Sequence, residues 1–203
     1  MHQRRRRSMP WVRLRSMLLA MPIVISMLRG VNVGGRNQIK MDALRALYES
    51  LGLRDPQTHI QSGNVIFRTQ ARDLVRLARR IEVAIERRVG FRPCVIVRTA
   101  SELRDVIARN PFAKRRGLDP RKLVVSFLVS DPGPEARDKV LRIKPDPEEL
   151  RIDGRELYVY YPHGMGQSKL PPVLDRTLKT PATARNWNSV TRMLEMAEDM
   201  ESG

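Results

Sequence analysis

The chain has 203 residues, of which 41% are hydrophobic and 30% charged, and its mean hydropathy is −0.41. These values exclude a disordered chain and a membrane-spanning one, and the length allows one large or two small domains with a buried core. The single cysteine, Cys94, excludes an internal disulfide and a thiolate zinc site. We therefore expect a cytoplasmic protein with no metal, no cofactor and no membrane partner.

The formal charge of +16 is distributed unevenly along the chain. Residues 1–20 contain six arginines and no acidic residue, and residues 68–122 contain sixteen Lys and Arg against six Asp and Glu. Residues 1–20 lack helix and strand signals and the cleavage site of a signal peptide. We interpret them as a basic disordered extension, or as the product of a mis-assigned start for which Met21 is the alternative. The block 68–122 either attracts polyanions or solvates a helix face.

The first part of the remaining chain predicts a β-α-β-β-α-β order. Short apolar runs indicate buried strands, and apolar residues at helical spacing indicate amphipathic helices. The predicted elements are a strand at 23–28, a helix at 40–51, a hairpin at 57–68, a helix at 71–89 and a strand at 93–98. This order is that of a ferredoxin-like subdomain, which we assign to residues 21–99.

The second part, residues 100–203, predicts a smaller C-terminal α+β subdomain that ends in helices. Ser101 is the predicted N-cap of its first helix, which ends at Asn110-Pro111. The later predicted elements are a strand at 123–129, a helix at 134–141, a hairpin at 150–161, a helix capped by Ser168 and a terminal helix entered at Trp187. No internal repeat is visible in the sequence. The fold class is therefore α+β.

Long stretches of the chain match a known family. They are LRGVNVGGRNQIKM at 28–41, IQSGNVIF at 60–67, GMGQSKL at 164–170 and ATARNWNSVTRM at 182–193. Through these stretches the chain, from about Met21 to Ala197, resembles the bacterial family catalogued as domain of unknown function 1697. The resemblance implies a cytosolic bacterial protein with an α+β fold and a ferredoxin-like first half. It implies no activity, because the family is uncharacterised, and the arginine-rich start departs from it.

The loop after the first strand is the predicted ligand site. In a ferredoxin-like unit this loop, the hairpin between the second and third strands, and the turn before the fourth strand emerge at one end of the sheet. Glycine N–H groups, guanidinium groups and a helix N-terminus at that end would bind a small phosphate-bearing or other anionic ligand. The predicted ligand-binding residues are Arg29, Gly30, Asn32, Gly34, Gly35, Arg36, Asn37, Ser62, Gly63, Asn64 and Arg92. Because the glycines match neither phosphate-binding fingerprint, loop architecture and protein contact stay open as alternatives.

A second hypothesis is a nucleic-acid-associated binding module that uses the basic block. Arginines along one helix face can track a phosphate backbone without reading its sequence. The predicted contact residues are Arg72, Arg76, Arg79, Arg80, Arg87, Lys114, Arg115 and Arg116. The aromatic signature of sheet-based RNA readers is missing from the sequence, so only non-specific binding is expected.

A third hypothesis is a hydrolase or transferase in which Ser168 is the nucleophile and Lys169 its base. The simpler interpretation is that Ser168 caps a helix and Lys169 is exposed, since serine is a leading N-cap residue. His59 and His163 have no metal-ligand partner at helical spacing. The sequence does not decide whether the chain is an enzyme.

Overall fold

The computed structural model describes residues 21–202, so the interpretation of residues 1–20 lies outside the described part. Residues 21–202 form eight strands and six α-helices, which confirms the α+β fold class. The strands are β1 (Ile23–Leu28), β2 (Arg54–His59), β3 (Asn64–Arg68), β4 (Val95–Thr99), β5 (Leu123–Leu128), β6 (Glu149–Asp153), β7 (Glu156–Tyr160) and β8 (Ala182–Asn186). The helices are α1 (Met41–Ser50), α2 (Leu74–Val89), α3 (Ala100–Ala108), α4 (Gly133–Arg142), α5 (Leu170–Leu178) and α6 (Trp187–Ser202). None of these helices is both long enough and apolar enough to cross a membrane.

The first unit consists of β1 to β4 with α1 and α2. Its sheet has the strand order β2-β3-β1-β4 and is antiparallel throughout, which confirms the ferredoxin-like prediction. All six residues of β1 are buried because both faces of the strand are covered. Val24 and Leu28 face the core under α1 and α2, while Ile25 and Met27 face the opposite side of the sheet.

The second unit, β5 to β8 with α4 and α5, repeats this topology. Its sheet has the order β6-β7-β5-β8, so the same β-α-β-β-α-β path is followed twice along the chain. Each unit is followed directly by a further helix, since α3 starts at Ala100 after Thr99 and α6 starts at Trp187 after Asn186. The sequence predicted an α+β subdomain here and showed no repeat, so the duplication of the fold is a finding of the structure.

Two local features differ from the sequence-based expectation. Strand β8 was not predicted, because its sequence ATARN is short and largely small or polar. The N-cap of α3 is Thr99 and not Ser101. Thr99 accepts a hydrogen bond from the N–H of Glu102, whose carboxylate in turn accepts the N–H of Thr99, so both partners of a capping box are present.

The strand registers relate the two units position by position. In each unit the first strand pairs with the third strand on one side and with the fourth strand on the other, and the register of these pairs is the same in both units. Residues of one unit therefore have counterparts at the same position in the other. The corresponding positions are Ile25 and Val125, Arg98 and Arg185, and Asn64 and Glu156.

A single hydrophobic core joins the two units. The inward faces of both sheets contribute to it, through Ile25 and Met27 from β1 and Phe127 from β5. Helices α3 and α6 pack against each other and add side chains such as Leu103 and Met193 to the same core. Because this core is shared, burial of apolar surface stabilises the association of the two units as well as each unit separately.

Candidate functional site

The loop between β1 and α1, residues 29–40, is held at its base by buried side chains and by Asn32. Val31 and Ile39 are buried at the two ends of the loop. Asn32 accepts the N–H of Ile39 at 2.8 Å and donates its side-chain amide to the Ile39 carbonyl at 3.0 Å. It adopts a positive φ of 56°, which asparagine tolerates better than most residues. We call residues 29–40 the rim loop.

The tip of the rim loop is a tight turn that extends into solvent. Val33 and Arg36 form an isolated β-bridge, and the two glycines between them have φ of 58° and 73°. Positive φ at both central residues is typical of a type I′ turn, which explains the Gly-Gly pair. Residues 33–38 are all exposed. Among residues 21–202 no carbonyl or side chain accepts the N–H of Gly34 or Gly35.

The structure brings the three predicted segments of the rim together. The N–H of Leu28 donates to the Gly63 carbonyl at 3.0 Å, and the N–H of Arg29 donates to the Cys94 carbonyl at 2.9 Å. The side-chain amide of Asn32 also donates to the Gln61 carbonyl at 2.8 Å. The rim loop, the β2–β3 turn and the segment before β4 are therefore neighbours at one end of the first sheet.

Most polar side chains predicted to bind ligand are occupied within the protein. Asn37 donates to the Gly30 carbonyl at 3.0 Å, and Asn64 is fully buried and donates to Ser62 at 2.9 Å. Arg92 forms ion pairs with Glu82 and Glu86 of α2 at 3.2 and 3.7 Å. These residues therefore hold the structure of the rim, and the exposed cations of the rim are other residues.

Arg29, Arg36 and Lys40 are the cations of the rim loop, which contains no acidic residue. Arg29 forms an exposed ion pair with Asp175 of α5 at 2.9 Å, so it links the rim of the first unit to the second unit. Arg36 and Lys40 are exposed and form no ion pair with a carboxylate in the described part of the chain. Lys40 is also the N-cap position of α1, where no side chain from the described residues caps the helix.

Arg185 of β8 is a rim residue that the sequence analysis did not identify. Its guanidinium group enters the first unit and donates to the side-chain oxygen of Asn64, to the Leu28 carbonyl at 2.8 Å and to the Ser62 carbonyl at 3.2 Å. Burial lowers the pKa of Arg185 to about 10, so the group stays charged at neutral pH. The signal that could have found it is its place in the stretch 182–193, one of those by which the sequence resembles the family named in the sequence analysis.

Arg98 makes the reciprocal contact from the first unit to the second. It donates to the Glu156 carboxylate at 2.9 Å and to the Leu128 carbonyl at 2.8 Å. Burial lowers the pKa of Arg98, while the neighbouring Glu156 carboxylate opposes that shift. Each unit thus donates hydrogen bonds from one arginine to the last carbonyl of the other unit's first strand. Arg185 reaches the Leu28 carbonyl at the end of β1, and Arg98 reaches the Leu128 carbonyl at the end of β5. We call these two contacts the arginine clasps.

The rim loop is long compared with its counterpart in the second unit. The connection from β1 to α1 takes twelve residues, 29–40, whereas the equivalent connection from β5 to α4 takes only four, 129–132. The fold can therefore be connected at this position without most of the rim loop. Architecture alone does not require the tip at 33–38.

The residues predicted for nucleic-acid contact form two groups. Arg72, just before α2, and the α2 residues Arg76, Arg79, Arg80 and Arg87 are all exposed. Of these, Arg80 donates to the Leu51 carbonyl, and none forms an ion pair with a described carboxylate. In the loop after α3, Lys114 and Arg116 are exposed, while Arg115 pairs with Glu149 and lies 4.6 Å from the Tyr160 ring centroid.

Ser168 and Lys169 precede α5. The Ser168 hydroxyl donates to the Glu148 carboxylate and accepts the N–H of Leu170 at 3.1 Å. Lys169 is exposed and has no hydrogen bond to Ser168 in the described part of the chain. This geometry is that of a serine that satisfies the first turn of a helix.

A match to a family model places the chain in a known family. The family model described as "Protein of unknown function (DUF1697)" matches residues 21–158, so the chain belongs to that family and the predicted resemblance is confirmed. The stretches at 164–170 and 182–193 lie beyond the matched residues. The family description assigns no activity.

One solved structure extends the likeness over most of the chain. It is that of the conserved bacterial protein SP0830 from Streptococcus pneumoniae, with a TM-score of 0.68 and 20% sequence identity. The match covers 88% of this chain and 99% of that one, and at this identity it shows a common fold. No curated protein matches the sequence.

Proposed function

We propose that this cytoplasmic protein binds a small phosphate-bearing or other anionic ligand at the rim loop. The observation that carries the proposal is the length of residues 29–40 against the four-residue connection of the second unit. The additional residues form an exposed tip, and the whole loop contains three cations and no acid. Because the connection needs fewer residues, we assign the additional, positively charged residues a binding role.

Several donors of the rim loop are free to contact an anion. The N–H groups of Gly34 and Gly35 have no acceptor among residues 21–202, and the guanidinium of Arg36 is exposed beside them. The N-terminus of α1 has no side-chain cap within the described part of the chain and adds the positive end of its dipole. Arg29 would join the site by exchanging the Asp175 carboxylate for the ligand, since charge-assisted hydrogen bonds favour either anion.

A thermal-shift titration with inorganic phosphate, pyrophosphate and ATP tests this proposal. A ligand at 100 times its dissociation constant stabilises the folded state by about 2.7 kcal/mol. We expect Arg36→Ala to abolish the shift, and Arg116→Ala, which removes an exposed arginine outside the rim, to retain it. Equal shifts in the two variants, or no shift with any of the three anions, would contradict the proposal.

Asp175 provides a variant with the opposite expected effect. Asp175→Asn removes the carboxylate that occupies Arg29 and lowers the negative charge next to the rim. Anion affinity should therefore rise in Asp175→Asn, whereas Glu195→Gln, which alters an exposed ion pair on α6, should leave it unchanged. A fall in affinity on removal of Asp175 would show that the anion does not bind beside Arg29.

Non-specific nucleic-acid binding is a second candidate function. The observation that favours it is the set of exposed α2 arginines, none of which pairs with a described carboxylate. Filter binding of single-stranded and duplex DNA at rising salt tests it, because phosphate contacts make affinity fall steeply with salt. The double variant Arg76→Ala/Arg79→Ala should bind more weakly than Arg192→Ala, which removes an arginine of α6. Absence of binding at low salt would exclude this candidate.

A further inference from the structure

A cleft of about 440 Å³ opens on the second unit, and neither function proposed above uses it. It lies between the segment that joins α4 to β6 and the segment 164–170 that leads into α5. Three of the residues that line it are prolines, Pro145, Pro147 and Pro162. Rigid apolar walls with a few polar groups between them are typical of sites for small molecules.

Tyr161 carries an unused hydroxyl in the wall of this cleft. The residue is only 3% exposed, and its hydroxyl, which reaches solvent at the cleft, has no hydrogen-bond partner among residues 21–202. A hydroxyl that no protein group engages and that the cleft leaves open is available to a ligand. Burial and the negative charge of Glu148 raise the pKa of Tyr161 to about 12, so the hydroxyl keeps its proton and can donate it.

Glu148 supplies an acceptor on the same cleft. Its Oε1 accepts the hydroxyl of Ser168, and its Oε2 has no hydrogen-bond partner in the described part of the chain. Asp146 also lines the cleft, and among residues 21–202 Lys169 is the one lysine that does. Two carboxylates against one ammonium group disfavour a phosphate, in contrast to the rim loop.

We infer that this cleft binds a small neutral ligand rich in hydroxyl groups, of the sugar or polyol class. A ligand hydroxyl can accept a hydrogen bond from Tyr161 and donate one to the free oxygen of Glu148, whereas an ionised phosphate oxygen can only accept. The C–H faces of such a ligand pack against the proline walls while its outer hydroxyls stay in water. The segment 164–170, one of the stretches by which the chain resembles its family, then forms one side of a binding site.

An NMR titration of the full chain with methyl glucoside, ribose and inositol tests this inference. We expect backbone amide shifts in segment 164–170 and around Glu148 with at least one of these probes. Tyr161→Phe should weaken that binding by about tenfold, the loss expected for one hydrogen bond. Tyr160→Phe is the matched control, because Tyr160 belongs to the core between the sheets and does not line the cleft.

Further probes separate the sugar class from its alternatives. Glu148→Gln should weaken binding as well, and amide spectra of each variant establish that the fold is retained. Putrescine and inorganic phosphate serve as cationic and anionic probes. Amide shifts from either of these and none from the three hydroxylated probes would overturn the inference, as would equal affinities in Tyr161→Phe and Tyr160→Phe or no shift in the cleft at all.

Discussion

At the scale of single residues, the two arginine clasps place charged groups in the buried interior of the protein. The side chains of Arg98 and Glu156 are 2% and 7% exposed. Such a pair contributes little net stability relative to an apolar pair, but the loss of one partner leaves a buried charge without compensation. The clasps therefore fix how the two units dock more than they add to the free energy of unfolding.

This leads to a prediction for Arg98. Arg98→Met should lower the free energy of unfolding by about 3–5 kcal/mol, because Glu156 and the Leu128 carbonyl lose a buried donor. The double variant Arg98→Met/Glu156→Leu should recover a large part of that loss. Urea unfolding of the wild type, Arg98→Met, Glu156→Leu and the double variant measures these effects. A double variant that is as unstable as the sum of its single changes would refute this account of the clasp.

Gly63 provides a second prediction at this scale. A Cβ atom at this position would lie 2.9 Å from the Cβ of Leu28, and the φ of +71° is unfavourable for other residues. Gly63→Ala should destabilise the protein by about 2–4 kcal/mol, the sum of backbone strain and overpacking. Gly154→Ala is the control, since its φ of +57° is strained but no atom lies within 4 Å, and about 1–2 kcal/mol is expected. Equal melting temperatures for Gly63→Ala and Gly154→Ala would show that the Leu28 side chain moves aside at no measurable cost in stability.

At the scale of elements, the start of α3 shows what sequence patterns resolve and what they miss. Thr99 and Ser101 are both good N-cap residues, and Thr99 with Glu102 has the capping-box spacing. The choice between them depends on where β4 ends. That end is set by the pairing of Thr99 with Val24, a contact distant in sequence.

The capping box gives a prediction for α3. Thr99→Ala should lower the free energy of unfolding by about 1 kcal/mol, because the Glu102 N–H loses its acceptor. Ser101→Ala, at an exposed position, should change it by less than about 0.5 kcal/mol. Chemical denaturation of the two variants distinguishes them, and a larger effect at Ser101 would restore the sequence-based assignment.

How far the fold could be predicted depended on the character of each element. The strand at 23–28 was predicted with the bounds observed, because a run of five apolar residues and one serine ends at Arg29-Gly30. Strand β8 escaped because Ala182–Asn186 has no apolar run or β-branched cluster. The convergence at the rim followed from topology, but the partners of Arg92 and the entry of Arg185 depend on tertiary contacts that no local pattern encodes.

At the scale of the whole molecule, the shared core makes the two units depend on each other. Side chains from both sheets, α3 and α6 fill the space between the units. A unit taken alone would expose that face of its sheet to water. Neither unit should therefore be stable by itself, although each has a complete β-α-β-β-α-β path.

A split of the chain tests this dependence. Residues 113–117, in the segment between α3 and β5, are all exposed, so a break after Gly117 cuts no buried contact at that point. Fragments 21–117 and 118–203 should co-purify when expressed together and give the circular dichroism spectrum of the intact protein. Each fragment expressed alone should aggregate or remain unfolded. A monomeric, folded fragment 21–117 would contradict the shared-core argument.

The arginine clasps have one more consequence. Contacts in which a residue of one unit reaches a site on the other, while its counterpart reaches the equivalent site in return, are the signature of a two-fold homodimer. A single β-α-β-β-α-β-α chain could make both clasps by associating with a second copy. The present protein thus has the geometry of a dimer whose protomers were fused end to end. In a single chain the two halves need not be identical, and here their first loops differ, with twelve residues in one half and four in the other.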